Sequence, residues 1–335
     1  MVGVSNLLRV DLAAYRRNIE NIKATMSPAK VMAVVKADAY GHGLLPIAKA
    51  AVEAGCELLG VLDIETGLEL RKGGISTPAF AWLHSPNSDF KKAISSGIEL
   101  SVSSMSELEA VSEAGRASIH LKVDTGLRRN GCPIEKWPEL VTAAMKLHIA
   151  GAIRVTAVWS HLAGASKQAD LDAISAFESA VSLARSNGFD GYPHIASSPA
   201  AFTIPESRFD MVRIGVSAFG TSPVSGISAE KFNLEAPMTL ETEVIAPQVI
   251  SIGFLHGLLS QLAGKTDAVI RGKRHRILEI GPLASRIAAG DYEIGETVTI
   301  FGEGASSAEE LCELVGTVTD ELFTGLKTDS VTYTN

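Results

Sequence analysis

The sequence predicts an α/β chain: a TIM-type (β/α)8 barrel over residues 1–234, followed by a smaller, mostly antiparallel β domain over residues 235–335. Three observations carry this. Up to about Leu234, short β-branched runs alternate with longer amphipathic stretches, and strands separated by helices pair in parallel through right-handed crossovers. About eight such repeats fit within the ~200–250 residues that a barrel of this kind takes. Beyond Glu235 the runs become short, β-rich and broken by Gly, Pro and Asp, with little room for helices.

In chain order, the first strand is the apolar run Val31-Met-Ala-Val-Val35, which delivers Lys36 to the point where strand character stops; Gly41 and Gly43 follow at once. Further strands are expected at Leu58–Val61, Ala79–Trp82, Ile98–Ser101, Ile119–Val123, Val155–Ser160, His194–Ala196 and Met211–Arg213. Helical periodicity fills the spaces at Leu44–Ala54, Ile64–Arg71, Met105–Ala114, Trp137–Lys146 and Ala169–Arg185, and Gly55, Gly73, Gly115 and Gly188 close several of these. An open doubly wound sheet is the competing fold, but its usual Gly-x-Gly-x-x-Gly turn after the first strand is missing. From Pro223 to Pro237 no apolar period holds, which places the boundary there. The second part then offers strands at Met238–Ile245, Gln248–Ile252, Ala268–Ile270, His275–Ile280 and Thr297–Phe301.

Bulk properties narrow the function. The 335 residues are 46% hydrophobic and 20% charged, with mean hydropathy +0.19. No apolar run approaches the ~18–20 residues of a membrane span, and the start lacks a basic region followed by an apolar one, so a soluble, cytoplasmic protein is expected. A net charge of −8 argues against nucleic acid, whose binders need a basic face. Cys56, Cys132 and Cys312 are odd in number and far apart, which suits a reducing compartment and gives no metal-ligand spacing.

In a barrel of this type the loops at the strand ends converge on one mouth. The unusual polar residues fall at those ends: Lys36 after the first strand, Lys122 and Asp124 at the fifth, His161 after the sixth, Ser197 and Ser198 after the seventh, and Arg213 with Gly215 at the eighth. A lysine with its stem in apolar surroundings deprotonates more readily and is suited to a Schiff base with an aldehyde. Taken alone, Lys36 reads more readily as a solvated loop lysine. Ser197-Ser198-Pro and Arg213-Ile-Gly215-Val216 have the small residues and hydroxyls of a phosphate cradle, although serine at a helix start is also an ordinary N-cap. An aldehyde and a phosphate together describe pyridoxal 5′-phosphate (PLP). A guanidinium at Arg213 facing the pyridine nitrogen would discourage ring protonation and favour simple proton transfer at Cα; the competing reading is a salt bridge to Asp210 or Glu206.

On these residues the chain resembles the fold-type III alanine racemase family over nearly its whole length. The segments that carry the resemblance are Ala33-Val-Val-Lys-Ala-Asp-Ala-Tyr-Gly-His-Gly43, Leu121-Lys-Val-Asp-Thr-Gly-Leu-Arg-Arg-Asn-Gly131, Trp159-Ser-His-Leu162, His194-Ile-Ala-Ser-Ser198 and Phe209-Asp-Met-Val-Arg-Ile-Gly215. The resemblance implies a PLP-dependent isomerase that supplies D-alanine for the cell wall, working as a homodimer with its active site at the subunit interface. It implies Lys36 as Schiff-base lysine and one catalytic base. Tyr40 and Ser198 would contact the phosphate, with Gly215 and Val216 giving backbone donors and Tyr333 the nearest counterpart of a C-terminal phosphate-contacting tyrosine. His161 would stack near the ring, and Arg213 would face the pyridine nitrogen, supported by His194. Arg129 would grip the substrate carboxylate, and Lys122 matches a lysine often carboxylated in this family, which orients that arginine.

The second half departs from the family. Its Gly-Tyr-Ala-Asp-Gly motif, source of the opposite base, is matched here by Gly253-Phe254-Leu-His256-Gly257, and phenylalanine has no proton to transfer. The hairpin that normally precedes this motif is missing, and Pro282-Leu283-Ala284 lacks the carboxylate of the family's Met-Asp motif. His256 is a chemically reasonable substitute base and equally an exposed loop residue. Three functions follow: a racemase with Lys36 and His256 as bases, a one-base PLP reaction needing only Lys36, or a non-catalytic PLP-binding homologue.

Overall fold

The computed structural model describes residues 6–85 and 87–335. Its strands are β1 Leu7–Asp11, β2 Lys30–Val34, β3 Leu58–Val61, β4 Ala79–Ala81, β5 Ile98–Val102, β6 Ser118–Lys122, β7 Arg154–Trp159, β8 Tyr192–His194, β9 Met211–Ile214, β10 Met238–Ala246, β11 Val249–Ile250, β12 Asp267–Ile270, β13 Lys273–Ile280, β14 Ser285–Ile287, β15 Thr297–Phe301 and β16 Ser330–Thr334. They build two eight-stranded sheets. The chain divides into two compact units that interleave in sequence: one takes Ile19–Lys36 and Ala51–Gly215, the other the chain up to Asn18 with Ala37–Ala50 and Val216–Asn335.

The first unit is the barrel. Its strands run in the order β8-β7-β6-β5-β4-β3-β2-β9, every neighbouring pair parallel. The ring closes where the Asp210 N–H donates to Pro193 O at 3.3 Å and the Arg213 N–H to Ala196 O at 3.0 Å. β3 and β9 are buried at every residue, as strands covered on both faces must be, which explains the apolar run of β3 and makes Arg213 on β9 a buried cation. Met32, Leu58, Phe80, Trp159 and Met211 pack together inside, each burial worth roughly 1.5–3 kcal/mol. Helices return the chain between strands. Asp63, Ser104 and Ser166 cap three of them by accepting backbone N–H groups; of the glycines expected to close helices, Gly55 and Gly188 take positive φ of 83° and 95°, while Gly73 stays at −76°.

All eight barrel strands form within two residues of the positions expected. The largest displacement is at β8, which includes Pro193, a residue that offers no N–H to a ladder.

The second unit holds a sheet that is antiparallel except for the parallel pair β1–β16, in the order β11-β14-β13-β12-β15-β10-β1-β16, with β11 folding back onto β10 as well. Its core includes Leu240, Val244, Ile277, Val298, Ile300 and Phe301. β1, from the start of the chain, lies between β10 and β16. In Leu7-Leu-Arg-Val-Asp11 only Leu8 and Val10 are buried, the alternation of a half-buried strand that the sequence reading passed over. Both the second sheet, through β1, and the second compact unit, through the chain up to Asn18 and Ala37–Ala50, take in residues from before the expected division at residue 234. The C-terminal part also has more helix than expected: Ala308–Val315 opens on a capping box between Ser307 and Glu310, and Thr319–Gly325 follows. Among the described residues no helix is long and apolar enough to cross a membrane.

Candidate functional site

The barrel unit gathers its polar residues where β2, β6, β7, β8 and β9 end. Lys36 lies just beyond β2 and is half-buried. Lys122 closes β6, buried, with its ammonium 4.2 Å from the centre of the Trp159 ring. Arg213 is buried on β9. Its Nη1 donates to His194 Nδ1 at 2.9 Å, and its Nη2 donates to the carbonyls of Ser160 at 2.9 Å and Ile195 at 2.8 Å and to His161 Nδ1 at 3.0 Å. None of these bonds uses Nε. The salt bridge to Asp210 or Glu206 weighed from sequence is not what holds Arg213; imidazole and carbonyl acceptors do, because the guanidinium lies inside the ring of strands.

The electrostatics are lopsided. Burial, then the charges of Arg213, Arg129, Lys122 and Lys36, push His161 down to about 3, so it is neutral. Burial, Arg213 and Arg129 push Lys122 down to about 8. Burial and Arg129 lower Arg213 to about 9, which leaves it charged at neutral pH. Burial, with Arg213 and His120, holds His194 well below the usual histidine range. Four cations thus bear on one neutral imidazole, and a site of this kind calls for an anionic ligand.

Arg129 sits on an exposed loop with a fixed backbone. Asp124 Oδ1 accepts the N–H groups of Gly126 at 2.9 Å and Arg128 at 3.1 Å, and the Cys132 N–H returns to Lys122 O at 2.8 Å. Gly131 has φ +138° and a Cβ there would lie 2.7 Å from Asp124 N, so only glycine closes the loop. Arg129 is among the charges felt by Lys122, His161 and Arg213, and its neighbour Arg128 is not. Ser198 opens the short helix Ser198–Thr203 and its Oγ accepts the Gly215 N–H at 3.3 Å, tying the β8 and β9 loops together. Ser197 holds the N-cap position but its side chain makes no cap bond, so the ordinary capping role does not account for it.

The other unit holds Tyr40, Val216, Tyr333 and His256. Ala37, Asp38, Ala39 and Tyr40 all take left-handed backbone conformations, with φ of 52–54°. Tyr40 is buried 5.3 Å from the ring of Phe219, and burial with Asp320 raises its hydroxyl well above the usual tyrosine value. Tyr333, on β16, abuts Gly43 so closely that a Cβ there would overlap its hydroxyl; burial and Asp38 raise its ionisation. Val216 opens a turn against the core of this unit, and the hydroxyl of fully buried Ser217 beside it has no hydrogen-bond partner among the described residues.

At Gly253–Gly257 the structure assigns His256 a local bond: its Nδ1 accepts the Gly253 N–H at 3.1 Å. A neutral ring in that state carries its proton on Nε2, and taking up a second proton means giving up the bond. Phe254 is 46% exposed. β10 and β11 are joined directly through Pro247 and Gln248, so the longer hairpin is indeed gone, and Leu283 stands exposed in the turn where Gly281 N–H bonds Ala284 O.

Sequence reasoning missed Glu99 and His120. Both lie within strands rather than at their ends. His120 is two residues before Lys122 and so shares its face, which is the signal that period-two reading could have used.

The donor set fits PLP. It offers an amine at Lys36, cations for phosphate and carboxylate, a serine hydroxyl with backbone N–H groups, and a fixed guanidinium whose Nε–H lies outside its own bonds. The family profile described as alanine racemase, N-terminal domain, matches residues 10–223. An alanine racemase of Mycolicibacterium smegmatis is 36% identical, covering 94% of this chain and 91% of that protein, and one of Salinispora tropica is 35% identical over 95% and 94%. The crystal structure of alanine racemase from D-cycloserine-producing Streptomyces lavendulae superposes with a TM-score of 0.94 at 31% identity, covering 100% of this chain and 98% of that one.

Proposed function

The chain belongs to the alanine racemase family of PLP-dependent isomerases, and from that premise we propose that it interconverts L- and D-alanine with PLP held at Lys36. The observation that supports this most directly is the convergence of Lys36, Lys122, Arg129 and Arg213 on the neutral His161, a field suited to a phosphorylated cofactor and a substrate carboxylate.

Bound PLP supplies an aldehyde for the substrate amine and a ring that accepts electron density from Cα. Lys36 anchors it and moves the Cα proton on one face. Tyr40, Ser198, Tyr333 and the backbone N–H groups of Gly215 and Val216 are the phosphate contacts that the family resemblance implies. Arg213, pinned by His194, presents a charged donor to the pyridine nitrogen and so keeps a proton off it. His161 stays neutral beside the ring. Arg129 grips the substrate carboxylate, oriented by Lys122 in a carboxylated form. On the opposite face Phe254 stands where the family has tyrosine, and His256 is the ionisable group of that turn; it serves as base only by releasing the Gly253 N–H. The protein works as a homodimer, residues 1–234 supplying most of the cofactor's contacts and the Gly253–Gly257 turn serving the partner's site.

The test is borohydride reduction of the PLP-saturated protein followed by peptide mapping, together with chiral analysis of L-alanine incubations. The label is expected on Lys36, with D-alanine formed above a protein-free PLP control and neither seen in Lys36→Ala. A label on another lysine, or no D-alanine, overturns the reading.

A further inference from the structure

Inside the barrel unit, four ionisable side chains form one hydrogen-bonded line. Glu99 Oε2 is 2.6 Å from His120 Nε2, His120 Nδ1 is 3.1 Å from His194 Nε2, and His194 Nδ1 is 2.9 Å from Arg213 Nη1. The strands set this geometry. Glu99 lies on β5, His120 on β6, His194 on β8 and Arg213 on β9, all side chains directed inward. Both imidazoles are fully buried. Phe80 stacks on His120 at 3.9 Å between ring centres, and Trp159 lies parallel to His194 at 5.8 Å. At its far end the line reaches a cavity of about 190 Å³, which Glu99 lines with Arg71 and Arg116. Burial opposes ionisation of Glu99, yet the bond from His120, with help from Thr156 and Arg154, holds its carboxyl below the usual range.

Each contact in the line needs one proton and one lone pair, and arginine can only donate. His194 Nδ1 must therefore be a lone pair, which places the proton of the neutral ring on Nε2, directed at His120 Nδ1. His120 then carries its own proton on Nε2, directed at Glu99. An acceptor beyond His120 Nε2 completes this polarity, and Glu99 Oε2, at 2.6 Å, is the nearest. We propose that Glu99 is a positioning residue for the cofactor-facing arginine: through the tautomers it imposes on His120 and His194, it keeps a lone pair aimed at Arg213 Nη1. The proposal rests on the PLP reading only in taking Arg213 as the group that faces the cofactor.

With the acceptor removed, the His120 proton can move to Nδ1 and donate to His194 Nε2. The His194 proton then faces an N–H of Arg213, and the bond that pins the guanidinium is lost. The Tyr192 hydroxyl, 3.4 Å from His120 Nε2, is a second, weaker acceptor, so the decisive variant is the pair Glu99→Leu with Tyr192→Phe. Glu99→Gln retains an acceptor oxygen and serves as the conservative control.

The experiment measures ring-nitrogen shifts by long-range ¹H–¹⁵N correlation on histidine-labelled protein, with and without PLP, beside the absorbance of the bound cofactor. Wild type and Glu99→Gln are expected to hold both histidines as Nε2–H. The pair variant is expected to show Nδ1–H at His194, a shifted cofactor band, and a kcat for alanine reduced roughly 2–10-fold at unchanged KM, the scale of one hydrogen bond lost. A wild-type proton on Nδ1 of either ring overturns the proposal, as does a pair variant with unchanged tautomers and band. Failure to take up PLP would instead refute the cofactor reading, and the PLP-free spectra would still decide the tautomers.

Discussion

Lys122 shows how a single buried side chain ties stability to chemistry. Its pKa is about 8 in the folded chain against 10.5 as a free side chain, because burial and two arginines disfavour its charge. Between those values the unfolded chain binds the extra proton, so this group makes stability rise with pH from about 8 to about 10.5, and below 8 its full penalty is present. The penalty is on the order of 3 kcal/mol. The lowered value also leaves a share of neutral amine at neutral pH, the form that adds carbon dioxide, and the resulting anion would sit among cations that repelled the ammonium. In CO2-free buffer at pH 7, Lys122→Met is therefore expected to raise Tm, with the advantage shrinking to nothing by about pH 10.5. Added bicarbonate should raise the Tm of wild type and leave Lys122→Met unmoved; an equal response from both would remove Lys122 from this role. At this scale the strand-end residues were legible because they interrupt apolar runs just where the runs stop. Glu99 and His120 were not, since a polar residue inside a strand reads as an exposed face until the closed ring shows that the face points inward.

The run Ala37–Tyr40 was the least legible element. Four consecutive non-glycine residues take left-handed conformations, each at a cost of roughly 1–2 kcal/mol, and nothing in Ala-Asp-Ala-Tyr announces that. Gly41 and Gly43, at φ of 74° and 92°, were the visible part of the same turn. The strain directly follows Lys36, where surrounding structure must enforce it. Ala37 is exposed, so replacing it costs little packing. Ala37→Gly is expected to relieve the backbone penalty while adding about 0.4–1 kcal/mol of unfolded-state entropy, a net gain of up to ~1 kcal/mol read as a higher urea midpoint. Ala37→Val should lower the midpoint, since a β-branched residue resists this conformation most. The opposite order would mean that the turn is not left-handed in solution. The β10–β11 turn was easier to foresee: too few residues separate Ile245 from Gly253 for a longer hairpin, whatever the packing.

For the whole molecule the question is whether two subunits make one two-sided site. Phe254, Leu255 and Leu283 are 46%, 55% and 61% exposed, and their turns are joined by Phe254 N–H to Gly281 O and Leu255 N–H to Pro282 O. Large apolar groups clustered this way are usually covered by a partner, as the proposed homodimer would do. In that homodimer the partner would bring phenylalanine, not tyrosine, to the face opposite Lys36. Proton removal should then be confined to the Lys36 side: in D2O, the Cα proton of one alanine enantiomer exchanges quickly and that of the other slowly. A missing general acid–base group typically costs ~10²–10⁴-fold, so net racemisation should trail exchange by that order. Phe254→Tyr restores the missing hydroxyl and should recover part of the deficit. His256→Ala separates the remaining explanations. If wild type racemises both enantiomers quickly and His256→Ala stops it, the imidazole gives up its bond to Gly253 during turnover and is the second base. If His256→Ala leaves slow, one-sided exchange unchanged, His256 is a structural residue of its turn and Lys36 works alone. Fast racemisation that survives both substitutions would mean that neither residue faces the cofactor, and the Gly253–Gly257 turn would lose its place in the chemistry.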